Sequence, residues 1–240
     1  MKTICLDLGN TRMKAAVFED GLLLSSHVLE NDGMGQINSL LNEHKPEKSI
    51  LSSVIHHSKD IERVLAEKTR FHLLSHHTKL NFTVPVGKPE QMGADRLALA
   101  AAAVHYYPGK NNLVVGLGSC ITFNFINKFN QFLGGSISPG MEMRFRSMHE
   151  QTALLPLITK EWNFPLIGYD TKTNMLSGVI LGMAKEIEGI VHEFEKKYSN
   201  FNVVLTGGDC TYFARLLKNQ IFADPDLLYK GLYAISETNN

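Results

Sequence analysis

The chain has 240 residues, 44% of them hydrophobic, with 24 basic side chains balanced by 24 acidic ones. That length suits one large domain or two small ones with real cores, and a formal net charge of zero gives no global field to draw nucleic acid or anionic lipid. Cys5, Cys120 and Cys210 are far apart with neither CxxC nor zinc spacing, no apolar run reaches the roughly 18 residues of a membrane span, and the N-terminus lacks the regions of a signal peptide, so a soluble cytoplasmic protein with no nucleic-acid or membrane partner is expected.

The first thirty residues read as consecutive strands, with a hairpin near Glu19-Asp20-Gly21. Ile37, Leu40 and Leu41 share one face of a helix over Met34 to His44. Ser49 to Ile55 reads as a buried strand, Asp60 to Lys68 as a helix, and FHLLS from Phe71 as a strand, giving βββαβαβ. His76 to Gly93 is irregular, punctuated by Pro and Gly. An alanine-rich helix starts at Ala94. From NLVVGLGSC the pattern restarts as three strands, and Pro139-Gly140 leads into a helix. A long helix from about Thr173 to Tyr198, the strand-to-turn unit NVVLTGGD, a helix from about Tyr212 and a helical C-terminus complete the chain. DLGNTRMKAAVF and GLGSCITFNFI are parallel pieces, so two related halves are expected, 1–111 and 112–240.

The stretch DLGNTRMK carries the first chemistry. A P-loop would pass from a Gly-rich turn through Lys-Ser/Thr into a helix, and here a strand follows instead. Gly9 lets a phosphate approach the backbone; Asn10 and Thr11 add donors, and Lys14 adds a cation. Asp7 suits a magnesium ion held through water, since that ion prefers oxygen ligands and keeps its hydration. This turn and the matching one at GLGSCIT, facing each other across a cleft, would clamp a polyphosphate, and in LTGGD Gly207 and Gly208 would admit a flat adenine or ribose. Asp209 reads most simply as the N-cap of the next helix. In GADR, Asp95 is favoured at a helix start by the macrodipole; in a cleft it would take the proton of an attacking hydroxyl while Arg96 grips a carboxylate.

Taken together, DLGNTRMK, GADR, GLGSCIT, GGSISPGMEMR, DTKTNMLSG and LTGGD resemble the type III pantothenate kinase family over nearly the whole chain. The resemblance implies an α/β fold of two duplicated ribonuclease-H-like, actin-like ATPase domains. It also implies transfer of the ATP γ-phosphate to pantothenate, the first step of coenzyme A synthesis. By carry-over, Asp7, Leu8, Gly9, Asn10, Thr11, Arg12, Met13 and Lys14 bind ATP phosphates and magnesium, Asp95 is the general base, and Gly93, Ala94 and Arg96 line the pantothenate site. Ser119 stands where the family has a Thr near ATP, and Thr171 where a family Thr touches pantothenate. The family forms homodimers and uses a monovalent cation, potassium or ammonium. Two positions depart from its pattern: Gly116 replaces the acid that helps hold that cation, and Val86 replaces a substrate-pocket Tyr. A catalytically weakened nucleotide-binding accessory protein, or a kinase for another small alcohol, are the alternatives.

Other conspicuous residues have plainer readings. The pairs His56-His57 and His76-His77 read as solvated loop histidines, and Met141, Met143 and Met148 with Phe145 as a packing face. Trp162 reads as a loop anchor, Asp170-Thr171 as a helix cap, and Glu193, Glu195, Lys196 and Lys197 as a solvated helix end.

Overall fold

The computed structural model describes residues 1–30, 33–85, 88, 91–218 and 221–239. Val86 lies outside them. The chain divides into two compact units: Met1–Lys110 with Phe125–Gly134 and Asp226–Asn240, and Asn111–Asn124 with Gly135–Pro225.

The first unit is built on β1 (Lys2–Leu8), β2 (Met13–Glu19), β3 (Leu22–Leu29), β4 (Lys48–Ser53) and β5 (Arg70–Leu73), ordered β3-β2-β1-β4-β5. Strands β1, β2 and β3 pair antiparallel, while β4 and β5 join in parallel. Asp20 and Gly21 both take positive φ, 48° and 85°, which matches the twist of a two-residue hairpin and explains the Asp-Gly pair. The N-terminal ammonium closes on Asp20 Oδ1 at 2.6 Å.

Side-chain alternation along β1 sorts the two faces of this sheet. Ile4, Leu6 and Leu8 join the core formed with α1 (Met34–His44) and α2 (Lys59–Lys68), through Ile37, Leu40, Leu41, Ile61 and Leu65. Thr3, Cys5 and Asp7 take the other face, where α3 (Ala94–Tyr106) and α7 (Leu227–Asn239) pack. There Phe18 stacks on Tyr233 with ring centroids 4.8 Å apart. Burying each such large side chain contributes about 1.5–3 kcal/mol.

The alanine run permits close helix packing. A Cβ added at Gly231 of α7 would lie 1.9 Å from the Ala98 carbonyl oxygen of α3, so the two backbones meet where no side chain fits.

The second sheet repeats the same order. With β6 (Asn111–Leu117), β7 (Cys120–Ile126), β8 (Phe132–Pro139), β9 (Phe201–Thr206) and β10 (Phe222–Ala223), it reads β10-β9-β6-β7-β8. Reversed, the pattern of a meander followed by two parallel additions recurs, with β9 parallel to both β6 and β10. The architecture is thus the mixed α/β, twice-used actin-like arrangement. Helices α4 (Met141–Glu150), α5 (Thr171–Lys197) and α6 (Cys210–Ala214) accompany this sheet.

Several expectations need correction. Strand β4 ends at Ser53, not Ile55, because its partner β1 ends at Leu8; the Val54 amide makes the last bond of the ladder, to the Leu8 carbonyl. Helix α5 begins at Thr171, two residues early, because Asp170 and Thr173 form a reciprocal capping box. His57 is not a solvated loop residue: its ring bridges Ser53 Oγ at 2.9 Å and Glu62 Oε1 at 3.0 Å. The methionine face is only half a face, since Met141 and Phe145 are buried while Met143 is exposed. Asp209 holds the N-cap position of α6 without a side-chain cap bond, and its carboxylate pairs with Lys160 instead. That helix starts at Cys210, before Tyr212.

Candidate active site

Within the first unit, the β1–β2 turn closes through the Gly9 amide donating to the Arg12 carbonyl at 3.2 Å. It leaves Asn10, Thr11 and Arg12 exposed at its tip. The register places Asp7 opposite Lys14 and Leu8 opposite Met13. A Cβ at Gly9 would meet Arg12 O at 3.2 Å and Asp7 Oδ2 at 3.8 Å. That carboxylate oxygen therefore lies on the side of the turn.

The other oxygen is committed. Ser52 of β4, parallel neighbour of Asp7 in the register, is fully buried and donates from Oγ to Asp7 Oδ1 at 3.1 Å. Burial pushes the Asp7 carboxyl up to about 6, and the negative charge of Asp95 adds to that rise; the Ser52 bond and the Lys14 charge oppose it. A half-buried acid held above its ordinary range, with one oxygen bonded to Ser52 and the other on the side of the Gly9 turn, is short of positive charge. Those features fit a hydrated divalent cation, which Asp7 would hold through water and which would offset the phosphate charge.

Asp95 reaches the same face from α3. Gly93 is the N-cap of that helix, its carbonyl accepting from the amides of Arg96 and Leu97 at 3.1 and 3.2 Å. A Cβ at Gly93 would fall 2.5 Å from Asp95 Oδ1, so the glycine leaves room for the carboxylate. Arg96 is half-buried rather than solvated, and its guanidinium carbon lies 5.6 Å from the Phe132 ring centre. Burial lowers its pKa, and neighbouring Asp95 counters. Beside them is a cavity of about 360 Å³ lined by Ser53, Val54, Ser75, Gln91, Gly93 and Ala94 among others. It mixes hydroxyl, amide and aliphatic walls, as an amphiphilic ligand requires.

The second unit gathers three turns. The Gly118 amide donates to the Cys120 carbonyl at 3.1 Å, and Ser119 O accepts from the Gly140 amide at 3.1 Å. A Cβ at Gly140 would strike Gly118 O at 2.2 Å. Gly207 takes φ +93°, and its Cβ would meet Leu117 O at 2.4 Å. Ser119, Gly207 and Gly208 are thereby brought round the end of β6, while Thr171 stands exposed in the first turn of α5. Gly116 pairs in register with Thr206, whose buried hydroxyl has no partner among the described residues.

A sequence model described as type III pantothenate kinase matches residues 3–193. The chain belongs to the type III pantothenate kinase family. It is 40% identical over 238 residues to the type III pantothenate kinase of Christiangramia forsetii, covering 98% of each chain. Among solved structures, a Baf family protein from Campylobacter jejuni superposes with a TM-score of 0.63 at 21% identity, covering 98% of each chain. A glucokinase from an Antarctic psychrotroph gives 0.52 at 7% identity, covering 99% of each. At those identities the two structures show the fold alone.

For a type III pantothenate kinase chain, sequence reasoning passed over two residues near Asp7. SILSSVI reads only as a buried strand, and the parallel register alone brings Ser52 to Asp7. Tyr229 of α7 is the other. It is buried, and its hydroxyl pKa is raised by that burial and then by the negative charge of Asp7. Among the described residues no three His, Cys, Asp or Glu side chains cluster as a metal site, and no helix is long and apolar enough to cross a membrane.

Proposed function

We propose that this protein transfers the γ-phosphate of ATP to the primary hydroxyl of pantothenate, giving 4'-phosphopantothenate and ADP, the first step of coenzyme A synthesis. The observation that carries the reading is the pairing of two acids on one face of the first sheet, where the charge of Asp95 raises the pKa of Asp7. One acid sits at the base of the β1–β2 turn, and the other at a helix start beside a cavity and an arginine.

Phosphoryl transfer asks a protein chiefly for positioning and charge stabilisation. Backbone and side chains from Asp7 to Lys14 hold the phosphates, and Asp7 would hold magnesium through water, which would offset the phosphate charge. Asp95 accepts the hydroxyl proton as the new O–P bond forms and the bond to ADP breaks. Arg96 grips the pantothenate carboxylate, with Gly93, Ala94 and Thr171 at the acceptor. Ser119, Gly207 and Gly208 contact the nucleotide. Gly116 carries no carboxylate, so the family's monovalent-cation site lacks that ligand here.

We place the enzyme in the cytoplasm as a homodimer. Exposed apolar side chains on either side of Trp162, Leu154 and Leu157 before it and Leu166, Ile167 and Tyr169 after it, support self-association.

A coupled assay of ADP release tests the reading. Release that depends on pantothenate and magnesium is expected. Release driven only by another alcohol in a substrate panel assigns a different acceptor, and absence of release with every alcohol, with or without potassium or ammonium, rejects kinase activity.

A further inference from the structure

The sequence contains a single tryptophan, and its placement is unusual. Trp162 is 56% exposed, yet its ring is held: it stacks on Tyr212 with centroids 4.0 Å apart and planes 27° from parallel. Tyr212 is itself buried, and its hydroxyl donates to the Glu161 carbonyl at 2.8 Å, pinning the segment that carries Trp162. The Arg215 guanidinium carbon lies 5.1 Å from the Trp162 ring centre. Two residues before Trp162, Lys160 pairs with Asp209, the residue that follows Gly208. Residues 160–162 therefore run alongside the Gly207-Gly208 turn.

Gly207 and Gly208 differ in a way that bears on this. Gly207 is required by its backbone, at φ +93° and in contact with the Leu117 carbonyl. Gly208 is not: a Cβ there would meet nothing within 4 Å. It is exposed and bordered by open space. In the same unit a buried tyrosine, an exposed indole and a guanidinium lie together, with Tyr212 stacked on Trp162 and the Arg215 guanidinium carbon near the indole ring. Aromatic and guanidinium planes of this kind are the surfaces on which nucleobases stack, whatever the base's hydrogen-bonding edge.

We propose that Trp162, backed by Tyr212, is the platform on which the purine base of the phosphate donor stacks, over the open side of Gly208. The proposal rests on the kinase reading above and extends it to the nucleoside end of the donor. Trp162 sets affinity for the base and takes no part in the transfer itself. Arg215 adds positive charge beside the indole, while the charge of Lys160 is matched by Asp209.

Being the sole tryptophan, Trp162 reports on its own contact. Titration of the full-length protein with magnesium-ADP is expected to quench its emission saturably, at the concentration where calorimetry detects ADP binding. Inorganic tripolyphosphate with magnesium, which lacks a base, is expected to leave the emission unchanged. Loss of one stacking partner predicts that Trp162→Ala raises KM for ATP and weakens ADP binding by about 5- to 10-fold, well beyond its effect on kcat, while Trp162→Phe stays within about 2-fold of the native protein. ADP binding that leaves both the emission and the Trp162→Ala affinity unaltered overturns the platform and leaves the kinase reading standing. Absence of both ADP binding and ATP turnover in the native protein overturns both.

Discussion

The Ser52 hydroxyl donates to Asp7 Oδ1 at 3.1 Å across the parallel register that joins β4 to β1. It fixes which carboxylate oxygen faces the Gly9 turn. The tip of β4 is fixed in turn by Ser53, bonded to His57, which is bonded to Glu62. Removing the hydroxyl leaves the Asp7 carboxylate without that partner and free to rotate. Ser52→Ala is therefore expected to lower kcat/KM about 10-fold and to raise the magnesium concentration needed for half-maximal rate, as losing one hydrogen bond to a charged group costs about 1.5–3 kcal/mol. Steady-state kinetics over a magnesium series measures both.

Asp7 makes a second prediction, in the opposite direction for stability. Its folded-state pKa of about 6 stands above the ordinary 3.8. Between those values the folded chain binds more protons than the unfolded one, so stability falls as pH rises through the window and the penalty is complete above it. The difference amounts to at most about 3 kcal/mol. Asp7→Asn, which cannot ionise, is expected to melt higher than the native protein at pH 8 and at nearly the same temperature at pH 4, while losing kinase activity. Thermal melts at the two pH values check the sign.

Gly93 separates activity from folding. The Cβ of Gly93→Ala would collide with the end of the Asp95 side chain, which can swing away at small cost. Stability should drop by no more than about 1 kcal/mol, the scale of a changed N-cap. Turnover should fall far more, at least about 10-fold, because displacement of a catalytic group by a fraction of its bond length disrupts the reacting geometry. Melting temperature and kcat of the same preparation decide it.

Gly231 couples folding and activity instead. Its added Cβ meets the Ala98 backbone, which cannot yield without separating α3 from α7. Gly231→Ala is expected to destabilise the protein by about 1–3 kcal/mol, lowering the melting temperature by several degrees as seen by calorimetry. Because α3 carries Asp95, activity below the melt should fall as well.

Local patterns made much of this fold legible. The Asp-Gly hairpin, the period of Ile37, Leu40 and Leu41, and the break at Pro139-Gly140 each carry their own physical cause within a few residues. The repeat of GLGSCIT after DLGNTRMK foreshadowed two sheets of one strand order. What stayed hidden is non-local. Strand β10 is only Phe222–Ala223, too short for any alternation to show. Tyr229 nears Asp7 because the last helix returns to the first unit. The link between Ser52 and Asp7 depends on a register set by forty-odd intervening residues, and Lys160 draws Asp209 from its cap through a contact between distant segments. Asp7 and Asp95 could be named from motifs, whereas the effect of one charge on the other required the face-sorting of β1 against α3.

The role of Asp95 as proton acceptor is the centre of the account, and Asp95→Asn examines it directly. The amide keeps the shape of the side chain and removes its basicity. Pantothenate-dependent ADP release should fall by at least about 100-fold, in keeping with general-base catalysis, while calorimetry finds ATP bound as in the native protein. Turnover at the native rate in that variant, with ATP binding intact, would contradict the account.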